Sequence, residues 1–487
     1  MFPGTIDLYR VLPELLWCGF GALAMLMQPF VRNRYFFTVL AFLGALAGTA
    51  ASCFAFRNAG PGFYGLIQSD AFSFFFHLLV GTVALLVVLA AGPYLGRERL
   101  PFAEFYALLL FATAGMGVLA SAQELLTAFI GLEMSSISSY ILAGYRRDSL
   151  KSSESAMKYF LLGSFATAFF LYGIALVYGS TGTTMLDKMA AADTSSPLLK
   201  LGLAMILIGL GFKVAAAPFQ VWTPDVYEGA PTPVTAFFSA GPKAAAFALL
   251  LRIFATVPAA THFWFWAFWV LAVLTMFAGN LGALVQTNVK RLLAYSSIAH
   301  AGYILVAFAA VTSMAQGGSA EAAPAYAAVL FYLLGYALVK IGAFTIVSQL
   351  GGTGEKNLSL DDYAGLSQRQ PVVAAVLSLY LLSLLGLPVT AGFFGKFYIF
   401  KAAVNSHLIW LAVLMAINSV IGAYYYLRVI VVMYMREPSA EAASAAPVNF
   451  PLTVNAVLAV TAIGTILFGV LPNRVINFIL QPNLFGH

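Results

Sequence analysis

Charge is scarce in this chain. Of 487 residues only 9% are Asp, Glu, Lys or Arg, whereas a soluble domain carries about 25%. That shortage and a hydrophobic content of 61% exclude a set of soluble domains. They define a polytopic membrane protein whose apolar runs are long enough to span as helices. Cysteine is nearly absent too. Cys18 and Cys53 lie far apart in apolar segments, with no Cys-x-x-Cys pair or metal-ligand spacing, and read as small core residues. There is no dinucleotide fingerprint and no iron–sulfur cysteine set, and His77, His262 and His407 are scattered rather than paired for haem or metal. The net charge of +6 is no nucleic-acid signal, because the bases fall mainly in short loops between apolar runs. The N-terminus has no cleavable signal pattern. Its first apolar run, about Tyr9 to Phe30, is too long for a signal peptide and reads as a retained span.

What abounds is apolar length. Runs of about 20 residues recur near 9–30, 35–57, 71–94, 103–121, 123–143, 156–179, 197–220, 233–254, 263–286, 294–313, 324–350, 371–403, 407–435 and 451–472. They predict an all-α protein with about fourteen spans. Basic residues mark nearly every second loop: Arg32 and Arg34; Arg97 and Arg99; Arg146, Arg147 and Lys151; Lys290 and Arg291; Lys356 and Arg369; Arg436. The 222–233 connection breaks the series and carries acids instead. The positive-inside rule places these loops in the cytoplasm and both termini outside, which agrees with an even span count.

Four lysines, Lys213, Lys243, Lys340 and Lys396, lie deep inside apolar runs. Each costs roughly 2.5–3.5 kcal/mol near the bilayer centre, so the set opposes insertion by something on the order of 10 kcal/mol. Such residues face a bundle interior or a water-filled path and point to ion or proton translocation. Desolvation penalises an ammonium and a nearby carboxylate favours it, so a lysine that gains and loses a partner can load and unload a proton. Arginine, always protonated, could not. Two of the lysines sit at expected helix breaks. Lys213 precedes Pro218 and the polar stretch 222–233, and Lys396 follows Gly386, Pro388, Gly392 and Gly395. Proline removes a helix hydrogen bond, and irregular backbone within a membrane is tolerated only where protein or water satisfies it. Paired interrupted helices in two halves of a chain point to a transport site built from repeats.

Glu133, mid-span in the run 125–142, has no charged neighbour within a helical turn and needs a partner from another helix, for which an intramembrane lysine is the obvious choice. A purely structural Glu–Lys bridge is the competing reading. His300, flanked by Ser296, Ser297 and Tyr303, fits a proton relay and a satisfied structural histidine about equally well. Lys158 fits either a secondary relay site or a side chain snorkelling to the interface. Glu104 suits a helix N-terminus. Asp225 and Glu228 are read as partners for backbone and neighbouring helix ends, with ion uptake as a second role.

Three stretches carry a resemblance: PFQVWTPDVYEGAPTPVTAFFSAGPKAAAF (218–247), KRLLAYSSIAHAGYIL (290–305) and GLPVTAGFFGKFYIF (386–400). They resemble the antiporter-like membrane subunits of respiratory complex I and of Mrp-type cation/proton antiporters, and the similarity extends over essentially the whole chain. The resemblance implies fourteen helices, two inverted five-helix repeats and discontinuous helices 7 and 12. In that scheme one membrane domain, 1–487, divides into N-terminal helices (1–100), a first repeat (101–255), a second repeat (256–436) and a last helix (437–487). Glu133 and Lys213 would pair between helices 5 and 7, Lys243 would connect the halves, and Lys396 would end the relay. Lys158 and His300 match positions treated as functional in the family. Gln220 stands where relatives often carry histidine, and Lys340 where they often carry an uncharged residue. Lys396 in place of a glutamate, and the absence of a long lateral helix after the last span, separate the chain from M-type, Mrp D-type and L-type relatives.

The function implied is proton translocation as a subunit of a redox-driven NADH–quinone oxidoreductase, with no redox centre in this chain. Quinone, flavin and iron–sulfur clusters would sit in partner subunits. The implied partners are M-type and small K- and J-type membrane subunits, the lipid bilayer and protons, with no nucleic acid. The implied location is the bacterial inner membrane with both termini periplasmic. A stand-alone or Mrp-type cation/proton antiporter is the alternative.

Overall fold

The structure, a computed structural model, describes residues 4–189, 196–256, 261–314, 319–438 and 447–480. Helices dominate because, without water, an open chain satisfies every backbone N–H and C=O only by coiling on itself. Among the described residues twelve helices are long and apolar enough to cross a bilayer, and Leu12–Met27 and Pro371–Leu385 are shorter apolar helices. In chain order they are α1 (Leu12–Met27), α2 (Arg34–Arg57), α3 (Ala71–Arg97), α4 (Phe102–Ser121), α5 (Leu125–Ala143) and α6 (Leu150–Thr181). The interrupted α7a (Pro197–Val214) and α7b (Thr223–Gly229) follow, then α8 (Thr232–Thr256), α9 (Thr261–Leu284), α10 (Val289–Met314) and α11 (Ser319–Leu350). Last come the interrupted α12a (Pro371–Leu385) and α12b (Ala391–Asn405), α13 (Ile409–Met435) and α14 (Leu452–Val470).

The helices are not equally buried. The apolar windows of α8, α10 and α11 are 94% buried, against 33% for α6 and α14, so those three form the centre of the bundle. Lys243, Lys340 and His300 all lie on this central trio. The expected breaks occur where proline and glycine place them. α7a stops at Val214 with Ala215 in the left-handed region. α12a stops at Leu385 with Gly386 at φ 101. Gly392 lets the start of α12b lie against the Ser383 carbonyl, where a Cβ would collide with backbone.

The basic loops gather at one end of the bundle and are sewn together there. Glu98, after α3, accepts from the Gly354 backbone at 3.0 Å, and Arg97 donates to the Ser348 carbonyl at 2.7 Å. Glu355, in the α11–α12 connection, binds the Thr232 amide and hydroxyl (2.8 and 2.6 Å), Lys290 (2.9 Å) and Arg146 (3.7 Å). One buried carboxylate thus ties the starts of α8 and α10 to the α5–α6 and α11–α12 loops. The opposite end carries a short antiparallel hairpin, Gly60–Gly62 against Ile67–Ser69, and the Arg252–Asp70 pair at 2.9 Å.

Three sequence expectations change. Asp225 and Glu228 serve side chains rather than helix ends: Asp225 takes Lys158 and Arg291 at 2.7 and 2.6 Å, and Glu228 takes Lys151 and Arg291 at 3.1 and 3.0 Å. Lys158 accordingly does not snorkel free but is ion-paired, to Glu154 as well at 2.6 Å. Cys53 is exposed rather than in the core, whereas Cys18 is half-buried and packs against the core as a small apolar group. Glu104 does lie in the first turn of α4, with Gln28 and Arg147 as partners. The His262 side chain and residues 439–446 and 481–487 of the C-terminal segment lie outside the described residues.

Candidate functional site

An interrupted helix leaves carbonyls without partners at its C-terminal end, and the aligned peptide dipoles place partial negative charge there. Both breaks supply such an end inside the bundle, and each holds a lysine. Lys213 occupies the last turn of α7a. Lys396, on α12b, reaches back so that Nζ donates to the carbonyl of Leu385, the last residue of α12a, at 2.9 Å. Its ammonium also lies over the Tyr303 ring, 4.8 Å from the centroid, where the ring face attracts a cation.

None of the four lysines is ion-paired among the described residues; hydroxyls and carbonyls hold them instead. Lys213 Nζ donates to Ser136 Oγ at 2.7 Å and to the Tyr140 hydroxyl at 3.2 Å, with the rings of Tyr140 and Tyr159 alongside. Lys243 Nζ donates to the carbonyl and the hydroxyl of Ser297 at 2.7 and 2.6 Å. Lys340 Nζ donates to the Leu293 carbonyl and to Ser296 Oγ at 2.8 and 3.0 Å. Lys340 is fully buried, and Lys243 is 3% exposed.

The neighbouring serines Ser296 and Ser297 on α10 therefore serve two lysines from different helices. Beyond them the polar contacts continue. Tyr336 donates to Ser297 Oγ at 2.7 Å. Ser296 Oγ meets the Tyr426 hydroxyl, which lies 3.1 Å from His300 Nε2, while His300 Nδ1 meets the Tyr332 hydroxyl. A void of about 10 Å³, lined by His300, Tyr332, Tyr336, Ser383, Gly392 and Gly395, separates this cluster from the α12 break. A second of about 10 Å³ lies between Lys213, Ser135, Ser136, Tyr159 and α8 at Pro242 and Ala246. Each is close to the smallest space that holds one water. Hydroxyls, imidazole and amines joined in this way can pass a proton within each group, and the two voids lie where the hydrogen bonds stop short of the breaks.

Glu133 does not meet Lys213. Its Oε1 accepts from Thr167 on α6 at 2.9 Å, and no ion pair joins it to any lysine among the described residues. The Glu133–Lys213 contact expected from sequence is thus open in this conformation, with Ser136 and Tyr140 standing in for the carboxylate. Lys158 lies apart from the row, at the charged end, beside a cleft of about 120 Å³ lined by Lys151, Glu154, Ser155, Asp225, Glu228 and Arg291.

Sequence reasoning overlooked most of the hydroxyl partners: Ser136, Tyr140, Tyr332, Tyr336 and Tyr426. A signal existed. Ser135, Ser136, Ser138 and Ser139 crowd five positions of the apolar span that also carries Glu133, and all four are buried. Tyr332 and Tyr336 are spaced one turn apart, with Lys340 a turn further on.

Fold and site together define a polytopic, predominantly helical membrane protein in which amines without an ion-pair partner among the described residues, hydroxyls and one imidazole form a buried row between two broken helices. Residues 122–422 match the family described as "NADH:quinone oxidoreductase/Mrp antiporter, TM", and the chain belongs to that family. It is 47% identical over 479 residues to "NADH-quinone oxidoreductase subunit N 1" of Solibacter usitatus, a match covering 97% of this chain and 96% of the relative. It is 48% identical over 491 residues to "NADH-quinone oxidoreductase subunit N 2" of Koribacter versatilis, covering 98% and 97%. Among solved structures, a chain of respiratory complex I from Thermus thermophilus with bound aureothin superposes with a TM-score of 0.80 at 36% identity, covering 96% of this chain and 98% of that one. A chain of the Mrp complex from a Dietzia species superposes with a TM-score of 0.84 over 98% of both chains, but at 20% identity it shares the fold alone.

Proposed function

We propose that this chain is the proton-translocating membrane subunit of a bacterial NADH–quinone oxidoreductase. The observation that carries the reading is the row of buried lysines bound to hydroxyls and carbonyls instead of carboxylates. Ammonium groups held only for structure are paired, because an unpaired buried charge is costly. Amines in hydroxyl shells can instead exist charged or neutral, as carrying a proton requires. Relatives above 40% identity over nearly the full chain bear the name of that enzyme's subunit N, which favours this reading over an Mrp-type antiporter.

Glu133 and Lys213 form the loading site at the first break, Lys243 passes the proton across the centre, and His300 with Lys340 leads it to Lys396 at the second break. The open Glu133–Lys213 contact is one state of a switch in which the carboxylate approaches and withdraws. Lys158, with Asp225 at the charged end, feeds the row. The chain crosses the bacterial inner membrane fourteen times, with 101–255 and 256–436 as inverted five-helix repeats flanked by 1–100 and 437–487. Its basic loops are cytoplasmic and both termini periplasmic. The chain holds no redox centre; flavin, iron–sulfur clusters and quinone reside in partner subunits, and M-type and small K- and J-type membrane subunits are its neighbours. Affinity purification of the tagged chain tests the assignment. Copurification of NADH-oxidising activity with the membrane subunits is expected; a chain that purifies alone and exchanges cations for protons in vesicles would overturn it.

A further inference from the structure

A second pair of titratable side chains is buried in helices that the lysine row does not use. Glu14 is the third residue of α1, and His77 lies on α3. His77 Nε2 and Glu14 Oε1 are 2.7 Å apart, and the residues are 2% and 6% exposed. Trp17 closes one side, its ring meeting the imidazole edge-on with centroids 6.0 Å apart. α4 closes another at Gly117, where a Cβ would come within 2.9 Å of Glu14 Oε1. The second carboxyl oxygen, Glu14 Oε2, is buried and has no hydrogen-bond partner among the described residues. The one further titratable side chain on this stretch of α1 is Cys18, one turn on.

A pair kept only for packing would be a poor solution here. Apolar residues of similar volume are often as stable as a buried ionic pair or more so, and an unsatisfied buried oxygen is a further cost. The arrangement suits a proton that comes and goes. We propose that Glu14 and His77 form a second proton-binding site, separate from the lysine row, that is loaded and emptied during the pumping cycle. In the loaded state one proton lies between Oε1 and Nε2, as carboxyl and imidazole or as carboxylate and imidazolium, and either way the pair is neutral. Releasing one proton leaves a carboxylate facing a neutral imidazole N–H, with net charge −1. Glu14 sits in the first turn of α1, at the end of the bundle opposite the ion-paired loops, so that end is where the proton leaves and returns. α3 packs directly on α8, the helix of Lys243, which places the pair's charge change next to the relay. The inference rests on the proton-translocating reading above.

The test uses the assembled complex in proteoliposomes, with Glu14→Gln and His77→Gln variants and Lys243→Ala alongside. In both single variants, protons pumped per NADH oxidised are expected to fall while the amount of complex and its NADH oxidation persist. Redox-induced infrared difference spectra should lose the carboxyl or carboxylate signal of Glu14 in Glu14→Gln and the imidazole signal of His77 in His77→Gln. Should a single variant assemble poorly, the double variant Glu14→Leu/His77→Leu removes the pair without stranding either group, and it is expected to assemble and to show the same loss of pumping. Full pumping per complex in the single or double variants, or difference spectra in which neither the Glu14 nor the His77 signal changes, overturns the inference. Loss of pumping in Lys243→Ala beside full pumping in Glu14→Gln overturns this inference alone. Full pumping in Lys243→Ala overturns the reading on which it rests.

Discussion

Replacing Glu355 by glutamine is expected to cost far more stability than the single atom changed suggests. The residue is 5% exposed at its side chain and faces Lys290, whose side chain is 0% exposed. A glutamine amide oxygen can still accept from the Thr232 amide and hydroxyl, so those bonds persist. The charge is what goes. Lys290 would be left with the Ala230 carbonyl, 2.7 Å from Nζ, as its remaining close partner. Removing one member of a buried pair costs about 3–5 kcal/mol, because the other charge stays buried and uncompensated. Lys290→Met should cost a similar amount, and the double variant Glu355→Gln/Lys290→Met should recover a large part of the sum. Thermal denaturation of the purified complex in detergent, run as a double-mutant cycle, measures this. Single effects below about 1 kcal/mol, additive in the double variant to within about 0.5 kcal/mol, would refute the reasoning. The pH dependence has a definite sign. Burial alone would raise the Glu355 carboxyl, but the Lys290 charge together with the hydrogen bonds from Lys290 and Thr232 outweighs it and holds the group below its ordinary value of 4.5. A depressed carboxyl contributes its stability in full above the unfolded value and loses it as pH falls through the folded one. The melting curves of wild type and Glu355→Gln should therefore differ above pH 4.5 and converge as the pH falls below it.

Other outcomes follow from the site. Glu133→Gln should abolish pumping while the complex assembles, since Lys213 does not depend on Glu133 for its hydrogen bonds, and Glu133→Asp should retain part; full pumping per assembled complex in the glutamine variant would make Glu133 structural. Tyr336→Phe removes one buried hydrogen bond, about 1 kcal/mol of stability, yet should slow pumping strongly if the Ser297 hydroxyl receives its proton from Tyr336. Gly392→Ala forces a methyl onto the Ser383 backbone and should cost about 1–3 kcal/mol, read as reduced assembled complex. Cysteine labelling in oriented vesicles should find the Arg146 loop accessible from the cytoplasmic side only.

Much of the architecture was legible because a bilayer imposes one local rule on every span. Apolar length gave the helices, and the short 122–124 connection does divide α4 from α5. Proline and glycine marked both breaks, since their backbone chemistry acts locally. Lysines in apolar runs marked the row for the same reason, as their cost depends on depth alone. What stayed hidden depends on contacts between helices distant in sequence. Nothing in the α10 sequence says that Ser296 faces Lys340 while its neighbour Ser297 faces Lys243. Asp225 looked like a loop acid until folding brought Lys158 and Arg291 to it. Charge alone pairs Glu133 with Lys213, but in this conformation Ser136 and Tyr140, one and two turns along α5, hold the ammonium. Glu355 carried no sequence signal, because its importance comes from where four separate segments converge.

The central claim is that the buried lysines change protonation during turnover, and Lys243→Arg tests it most directly. Arginine keeps a positive charge at the centre of the bundle but holds its proton to above about pH 12, so release near pH 7 would cost about 7 kcal/mol. That exceeds the roughly 2.3 kcal/mol per 100 mV against which each proton moves. Proton uptake per NADH oxidised, followed with a pH-sensitive dye in proteoliposomes and normalised to assembled complex, should collapse in Lys243→Arg. Pumping at the wild-type ratio in that variant would contradict the protonation cycle.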